Sequence, residues 1–345
     1  MQSLSAALTH VGFGGMPEIS PRTPGSAPSI ELRCPECREY LISASVHSLV
    51  RSFSSFYCAG CSAVLRQVHG IWLALPSLRQ AHFAQFVKEY EHIRHEEGRG
   101  SDEPEFYLAL PFRDLTRRNS RQWAIRAKTF RYIQQQVLPK LRGEGDPPLE
   151  ILDLGAGNGW MSHLLARSGY RPVAVDLLKN CYDGLGAASH YECVLPELFP
   201  RFQAELDNLP FADAQFDCAI FNASFHYSED YDRTLAEAIR CLRPGGTILI
   251  ADSPTYSAEA SGQLMRKERQ DYFLNRFGFR SNALASCEYL TPERLTVLGV
   301  RHDLEWSAHR IWYGLRWASR PYLARLRKRR EPSQFVLYTA RVKTR

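Results

Sequence analysis

Three glycines at alternating positions, Gly155, Gly157 and Gly159, are the residues of this chain with the clearest chemical meaning. They follow a short apolar run at 151–154 and precede a helical pattern that begins at Trp160, which predicts a strand, a tight turn and a helix. Glycines let the backbone adopt positive φ and let a ligand approach without a Cβ in the way. Because the first N–H groups of a helix lack partners, they would face the ligand's polar end.

Two acidic residues flank this turn at positions where a nucleotide-type ligand needs hydrogen-bond acceptors. Asp153 lies two residues before the first glycine, and Asp176 ends a predicted strand at 171–176. An acid about 20 residues past such a turn is placed to accept from ribose hydroxyl groups. Dinucleotide enzymes favour the spacing G-x-G-x-x-G, so the strict alternation seen here disfavours a dehydrogenase.

Three further segments follow in a fixed order along the chain, and together with the glycine turn they resemble a known family. Asp207 lies in a loop at 204–211, Asp217 begins a strand at 215–222, and a Pro-Gly-Gly turn leads into a strand at 242–252. With the glycine turn, these segments resemble the class I S-adenosylmethionine-dependent methyltransferases, in particular the type 11-like group. The resemblance covers residues 149–254 well and implies an α/β fold with a Rossmann-like seven-stranded sheet.

The resemblance also implies a binding site for S-adenosyl-L-methionine and assigns residues to it. The glycine turn, the ribose strand, the loop after strand 3 and the end of strand 4 would contribute Asp153, Gly155, Ala156, Gly157, Asn158, Gly159, Asp176, Leu177, Asp207, Asn208, Leu209 and Asn222.

The residues after strand 4 are the candidates for catalysis: Asn222, His226 and Tyr227. Methyl transfer from a sulfonium chiefly requires alignment, and a general base is needed only when the nucleophile must lose a proton. His226 is the leading base candidate because imidazole titrates near physiological pH. The alternative is that His226 and Tyr227 only form a wall of the pocket. Asp252, which ends strand 5, is a further hydrogen-bond acceptor.

Four cysteines form a second motif, with two Cys-x-x-Cys pairs about 20 residues apart, a spacing typical of zinc sites. The predicted ligands are Cys34, Cys37, Cys58 and Cys61. Four thiolates close a tetrahedral Zn²⁺ site and leave no position open for water, so we expect the metal to be structural.

A zinc ribbon ahead of this domain resembles the N-terminal module of bacterial ribosomal-RNA guanine methyltransferases. The stretch at 69–76 also resembles small zinc-ribbon proteins that activate other methyltransferases. These resemblances imply RNA or a protein partner as candidate ligands of the ribbon.

The composition and the motifs together predict the domain organisation. We expect a disordered tail at 1–29, a zinc ribbon at 30–76, a helical lid or linker at 77–148 and the methyltransferase domain at 149–345. Within that domain we expect a substrate cap at 253–300, the last two strands at 301–306 and 334–341, and a basic aromatic helix at 309–330. That last stretch has eight Lys or Arg residues, no Asp or Glu, and four interleaved Trp or Tyr residues.

The basic stretch leaves three interpretations open: a surface for RNA, an amphipathic helix on an anionic membrane, or a solvated helix with packed aromatic residues. The net charge of +6 permits RNA binding without requiring it. No apolar run approaches the roughly 18–20 residues that span a bilayer. Nine cysteines, an odd number, favour a reducing compartment over a disulfide framework, so we expect a cytoplasmic protein.

The sequence therefore predicts an enzyme that transfers a methyl group from S-adenosylmethionine to a small or lipid-like acceptor. A ribosomal-type RNA methyltransferase is the first alternative, in which the zinc ribbon and the basic helix bind RNA. A methyltransferase-like scaffold that binds a partner through the ribbon is the second, although a scaffold need not keep the acids of a cosubstrate pocket.

Overall fold

An eleven-stranded sheet organises the computed structural model, which describes residues 30–47, 52–143 and 145–343. The predicted disordered tail at 1–29 lies outside the described residues. The described residues form thirteen strands, of which β10 and β12 make a separate two-stranded sheet. They are β1 (Leu41–His47), β2 (Ser52–Cys58), β3 (Val64–Val68), β4 (Ile71–Leu73), β5 (Glu150–Leu154), β6 (Arg171–Asp176), β7 (Arg201–Gln203), β8 (Phe216–Asn222), β9 (Leu242–Ala251), β10 (Pro254–Thr255), β11 (Glu305–His309), β12 (Gln334–Phe335) and β13 (Leu337–Arg341).

The helices precede, connect and cover these strands. They are α1 (Ser77–Glu96), α2 (Pro104–Ala109), α3 (Ser120–Tyr132), α4 (Trp160–Arg167), α5 (Tyr231–Cys241), α6 (Glu259–Phe277), α7 (Pro292–His302), α8 (Leu315–Ala318) and α9 (Arg320–Leu326). Helix α3 continues as a π-helical turn at Ile133–Val137 and a 3₁₀ turn at Leu138–Leu141.

Seven strands of the sheet have the predicted Rossmann-like arrangement, in the spatial order β7-β6-β5-β8-β9-β13-β11. Strands β5 to β9 pair in parallel, whereas β13 pairs antiparallel with both β9 and β11. Every residue of β5 is buried, as expected for a central parallel strand that helices cover on both faces. The predicted fold class is confirmed, and the carboxyl ends of β5, β6, β8 and β9 meet at one edge.

The remaining four strands extend this sheet with the ribbon, which we define as residues 31–76. Strands β1 to β4 form an antiparallel meander, and β4 then pairs in parallel with β7, placing Trp72 beside Phe202. Ribbon and methyltransferase sheet belong to one compact unit, residues 31–345. The ribbon is therefore hydrogen-bonded to the catalytic sheet along its β7 edge.

Two local predictions in the C-terminal third are wrong. Residues 301–302 end helix α7, and the strand predicted at 301–306 begins only at Glu305, because Asp303 adopts a left-handed conformation that terminates the helix. The stretch 309–330 is not one helix. It ends β11 and then forms α8 and α9, which are separated at Ser319, and Pro321 lies in the first turn of α9.

Among the described residues, no helix has both the length and the apolar character that crossing a membrane requires.

Candidate active site

The glycine turn has the backbone conformation that its sequence predicts. Gly155, Gly157 and Gly159 have φ of +79°, +57° and +74°. A Cβ on Gly155 would lie 2.2 Å from Ser224 Cβ, and one on Gly159 would lie 2.9 Å from the Phe199 ring. A Cβ on Gly157 would meet only a backbone oxygen, at 3.5 Å. The first and third glycines thus allow close packing, whereas Gly157 faces an open cleft.

The two acids beside the turn also line this cleft. Asp176 accepts hydrogen bonds from the N–H groups of Gly157 and Leu178, each at 2.8 Å, and Asp153 accepts from the Ser162 hydroxyl at 2.7 Å. Burial raises the pKa of Asp153 to about 7 and that of Asp176 to about 6. Both carboxylates are therefore held in place, and their charge depends on pH in the physiological range.

The structure brings most of the predicted cosubstrate residues together. The cleft is lined by Tyr90, Arg94, Arg126, Asp153, Gly155, Ala156, Gly157, Asn158, Trp160, Met161, Asp176, Leu178, Asp183, Asn222 and Ala223. Leu178 takes the place predicted for Leu177. The Oδ1 atom of Asn222 is buried without a hydrogen-bond partner among the described residues, so the cleft offers an acceptor to a ligand's donor.

The loop at 207–209, by contrast, does not line the cleft. Asp207 pairs with Arg233 at 3.4 Å, Asn208 Nδ2 donates to Pro35 O at 2.9 Å, and Leu209 N donates to Glu237 at 3.1 Å. The better-buried acid of this loop is Glu205, which pairs with Arg79 of α1 at 2.6 Å. Neither Asp207 nor Glu205 lines the cleft.

Helix α1 covers the cleft with Tyr90 and Arg94. Arg94 forms an ion pair with Asp183, which also accepts from Asn158 Nδ2 at 3.2 Å. The cleft encloses about 60 Å³, well below the roughly 300 Å³ at which small-molecule pockets begin. In this conformation the cleft is therefore narrower than a nucleoside-sized ligand needs.

A second cavity of about 260 Å³ adjoins the cleft and shares Tyr90, Arg94, Arg126 and Ala223 with it. His226 and Tyr227 line this cavity, and α6 of the predicted cap contributes Arg269 and Phe273. An acceptor in this cavity would lie next to a ligand in the cleft.

His226 is a neutral group in this setting. Its Nδ1 lies 3.2 Å from Ser253 Oγ. Burial, with Arg269 and Arg126 nearby, lowers the pKa of His226 to about 3. Because the imidazole resists protonation at physiological pH, it is a weak base. Tyr227 packs edge-on against Tyr90 with ring centroids 5.7 Å apart, so it also contributes to the wall.

The four predicted zinc ligands converge at the tip of the ribbon. All four sulfur atoms lie within 4.8 Å of one another, with Cys34 to Cys61 at 3.5 Å and Cys37 to Cys58 at 3.3 Å. A Zn–S bond of about 2.3 Å in a tetrahedron places sulfurs about 3.8 Å apart, so this cluster fits one Zn²⁺ ion.

The ribbon contacts the loop that was predicted to bind the cosubstrate. Arg38, next to the first Cys pair, binds Glu237 at 2.7 Å and Leu209 O at 3.3 Å. Leu32 forms a β-bridge with Phe211, and Arg33 N donates to Pro210 O at 3.0 Å. The predicted zinc ligand Cys37 is therefore adjacent in the chain to Arg38, whose side chain holds the loop at 207–211.

The alternating glycines, the buried acids and the strand order define a class I S-adenosylmethionine-dependent methyltransferase domain, as the sequence predicted. A family model described as a methyltransferase domain matches residues 152–250.

Several named methyltransferases match part of the chain. The malonyl-[acyl-carrier protein] O-methyltransferase of Serratia marcescens is 26% identical over 171 residues, 48% of this chain and 63% of that protein. The enzyme of that name from Methylococcus capsulatus is 31% identical over 34% of this chain and 42% of its own length. The demethylmenaquinone methyltransferase of Corynebacterium urealyticum is 35% identical over 32% and 44%. The chain thus spans about half the length of these relatives.

Among solved structures, a Burkholderia thailandensis 1,6-didemethyltoxoflavin-N1-methyltransferase is 16% identical, with a TM-score of 0.47 over 87% of this chain and 100% of that chain.

Proposed function

We propose that this protein transfers a methyl group from S-adenosylmethionine to a small or lipid-like acceptor. The observation that carries the proposal is the adjacency of the cleft and the second cavity, which would allow two ligands to bind side by side. The relatives named as malonyl-[acyl-carrier protein] and demethylmenaquinone methyltransferases support an acceptor of this kind.

In this proposal the cleft residues hold the cosubstrate, whose sulfonium supplies the activated methyl group. Asp176 accepts from the ribose hydroxyl groups, while Asp153 and the unpartnered oxygen of Asn222 are acceptors for its ammonium group. Helix α1 closes over the site and excludes water. His226 accepts a hydrogen bond from the acceptor and does not take up its proton, and Tyr227 forms the wall.

The direct test is a calorimetric titration of the protein with S-adenosylhomocysteine, and separately with NAD⁺. We expect S-adenosylhomocysteine to bind with a micromolar dissociation constant and NAD⁺ not to bind. Tight binding of NAD⁺ would instead support the dehydrogenase interpretation.

Affinity for S-adenosylhomocysteine should fall in acid. Burial raises the pKa of both Asp153 and Asp176, so below about pH 6 the two side chains become protonated and lose their charge. We expect affinity to be roughly tenfold lower at about pH 5.5 than at about pH 7.5. The same titration of Asp153→Asn should show a weaker pH dependence, and an unchanged profile would contradict the assignment of Asp153.

We propose a structural role for zinc, in which the ion holds the ribbon tip against the loop at 207–211. The bonds from Arg38 and Pro35 to this loop support that role. This structural role needs neither RNA nor a protein partner bound to the ribbon.

RNA methylation is a second candidate, favoured by the exposed basic surface of α8 and α9. Tyr313 and Trp317 pack inward, with Tyr313 Oη 2.8 Å from Thr129 Oγ1 and Trp317 stacked on Phe335. Trp312 and Tyr322 are 63% and 76% exposed. Changing Arg325, Arg327 and Arg329 to Gln tests the candidate, since Arg330 is already paired with Glu268. A several-fold loss of affinity for ribosomal RNA would support it, and unchanged affinity would remove it.

A further inference from the structure

The second cavity contains a cationic side chain without an anionic partner. Four arginines line it, and three are paired: Arg94 with Asp183, Arg99 with Glu97 and Arg269 with Glu288. In the described part of the chain, the Arg126 guanidinium makes no hydrogen bond or ion pair. It lies over the Trp123 ring, 4.9 Å from the ring centroid.

The setting of Arg126 makes an anionic ligand favourable. Burial, together with Arg94 and Arg99, lowers the pKa of Arg126 to about 10 against the opposing effect of Asp252, so the side chain remains charged at neutral pH. Asp252 is a nearby carboxylate but forms no ion pair with Arg126, so an anion bound directly to the guanidinium would offset the cost of its partial burial.

Asp252 offers the complementary group in the same cavity. Its Oδ1 accepts from Thr129 Oγ1 at 2.6 Å, which fixes the carboxylate, while Oδ2 is buried without a partner among the described residues. Asp252 has φ of +49°, in the left-handed region that is strained for a non-glycine residue. Asp252 thus combines a strained backbone conformation with an acceptor oxygen at the cavity.

The rest of the cavity is small, and its wall mixes apolar residues with polar ones such as Glu97, Gln122 and Ser281. Ile93, Ile125, Pro254, Phe273 and Phe335 contribute to its wall. At about 260 Å³ it lies near the lower end of small-molecule pockets, so it suits a compact acceptor group.

We propose that the acceptor is a small molecule with an apolar part that carries a carboxylate and a hydroxyl or N–H group. Arg126 binds the carboxylate, and Asp252 Oδ2 accepts a hydrogen bond from the hydroxyl or N–H group. This inference rests on the proposed function, because it takes the second cavity as the acceptor site. It narrows the acceptor to molecules that combine these two groups.

Arg126 also borders the cleft, so the carboxylate of the cosubstrate is its competing ligand. Asp252 lines the second cavity but not the cleft. Arg126 and Asp252 together therefore indicate a site for the acceptor. The affinity of Arg126→Gln for S-adenosylhomocysteine shows which of the two carboxylates Arg126 binds. We expect a change of less than about threefold, and a loss beyond about tenfold would assign Arg126 to the cosubstrate and overturn the proposal.

The main experiment uses hydroxybenzoates as probes, with the matching hydroxybenzamides and unsubstituted benzoate for comparison. Each is titrated into protein saturated with S-adenosylhomocysteine. We expect at least one hydroxybenzoate isomer to bind roughly tenfold more tightly than its amide, and this preference to vanish in Arg126→Gln. In Asp252→Asn, that isomer should bind no more tightly than benzoate.

Arg325→Gln is the matched control, because it removes one positive charge from the exposed surface of α9. It should keep the full preference for the carboxylate. The proposal is overturned if no isomer binds, or if the preference persists in Arg126→Gln. Failure of S-adenosylhomocysteine to bind the unaltered protein would instead refute the proposed function, so the two failures are distinguishable.

Discussion

Replacing Gly157 with Val should lower the affinity for S-adenosylmethionine by roughly 100-fold, the effect of forcing a bulky group into a filled site. Gly157 faces the cleft, and no protein atom other than a backbone oxygen lies near its added Cβ. The branched side chain would therefore occupy the space that the ligand needs. Isothermal titration with S-adenosylhomocysteine measures the effect.

The substitution also introduces backbone strain, so it needs a control with the same strain. Gly169 has φ of +83°, and an added Cβ there meets nothing within 4 Å. Gly169→Val should lower the free energy of unfolding by about as much as Gly157→Val, roughly 1–3 kcal/mol, and leave ligand affinity unchanged. Equal affinity in both variants would contradict the assigned cleft.

Replacing Cys58 with Ser should have the largest effect on stability. Cys58 is a buried member of the four-sulfur cluster, and loss of one ligand should release the metal and destabilise the protein by roughly 3–5 kcal/mol. Affinity for S-adenosylhomocysteine should change by less than about threefold, because the loop at 207–211 that Arg38 and Pro35 hold does not line the cleft. Elemental analysis, thermal unfolding and calorimetry measure the three effects.

Cys193→Ser is the control for this substitution, since Cys193 is exposed and lies outside the cluster. It should keep one zinc per chain and unaltered stability. Circular dichroism of Cys58→Ser should still show the α/β core. If that variant retained stoichiometric zinc, the four-cysteine assignment would be wrong.

Local patterns in the sequence were sufficient to predict the central sheet and the glycine turn. Strand, turn and helix at 150–167 are specified by adjacent residues, and the Cys-x-x-Cys spacing defines a metal cluster without knowledge of the fold. Both signals depend on short-range geometry, which a single sequence records directly.

Long-range packing determined the features that the sequence did not reveal. Strand β4 has only three residues, and nothing in Ile71–Leu73 shows that it pairs with β7. The loop at 207–209 has the expected composition, yet its polar groups bind Arg233, Pro35 and Glu237. Arg126 is one of several basic residues on α3, and only the folded structure shows that it faces both cavities.

The most direct test of the central claim uses S-adenosylmethionine with a labelled methyl group. The protein is incubated with it and a cell extract, which is then separated into RNA, protein and organic-soluble small-molecule fractions. We predict label in the small-molecule fraction, and none there when Gly157→Val replaces the unaltered protein. Label confined to RNA, or no label in any fraction, would contradict methyl transfer to a small or lipid-like acceptor.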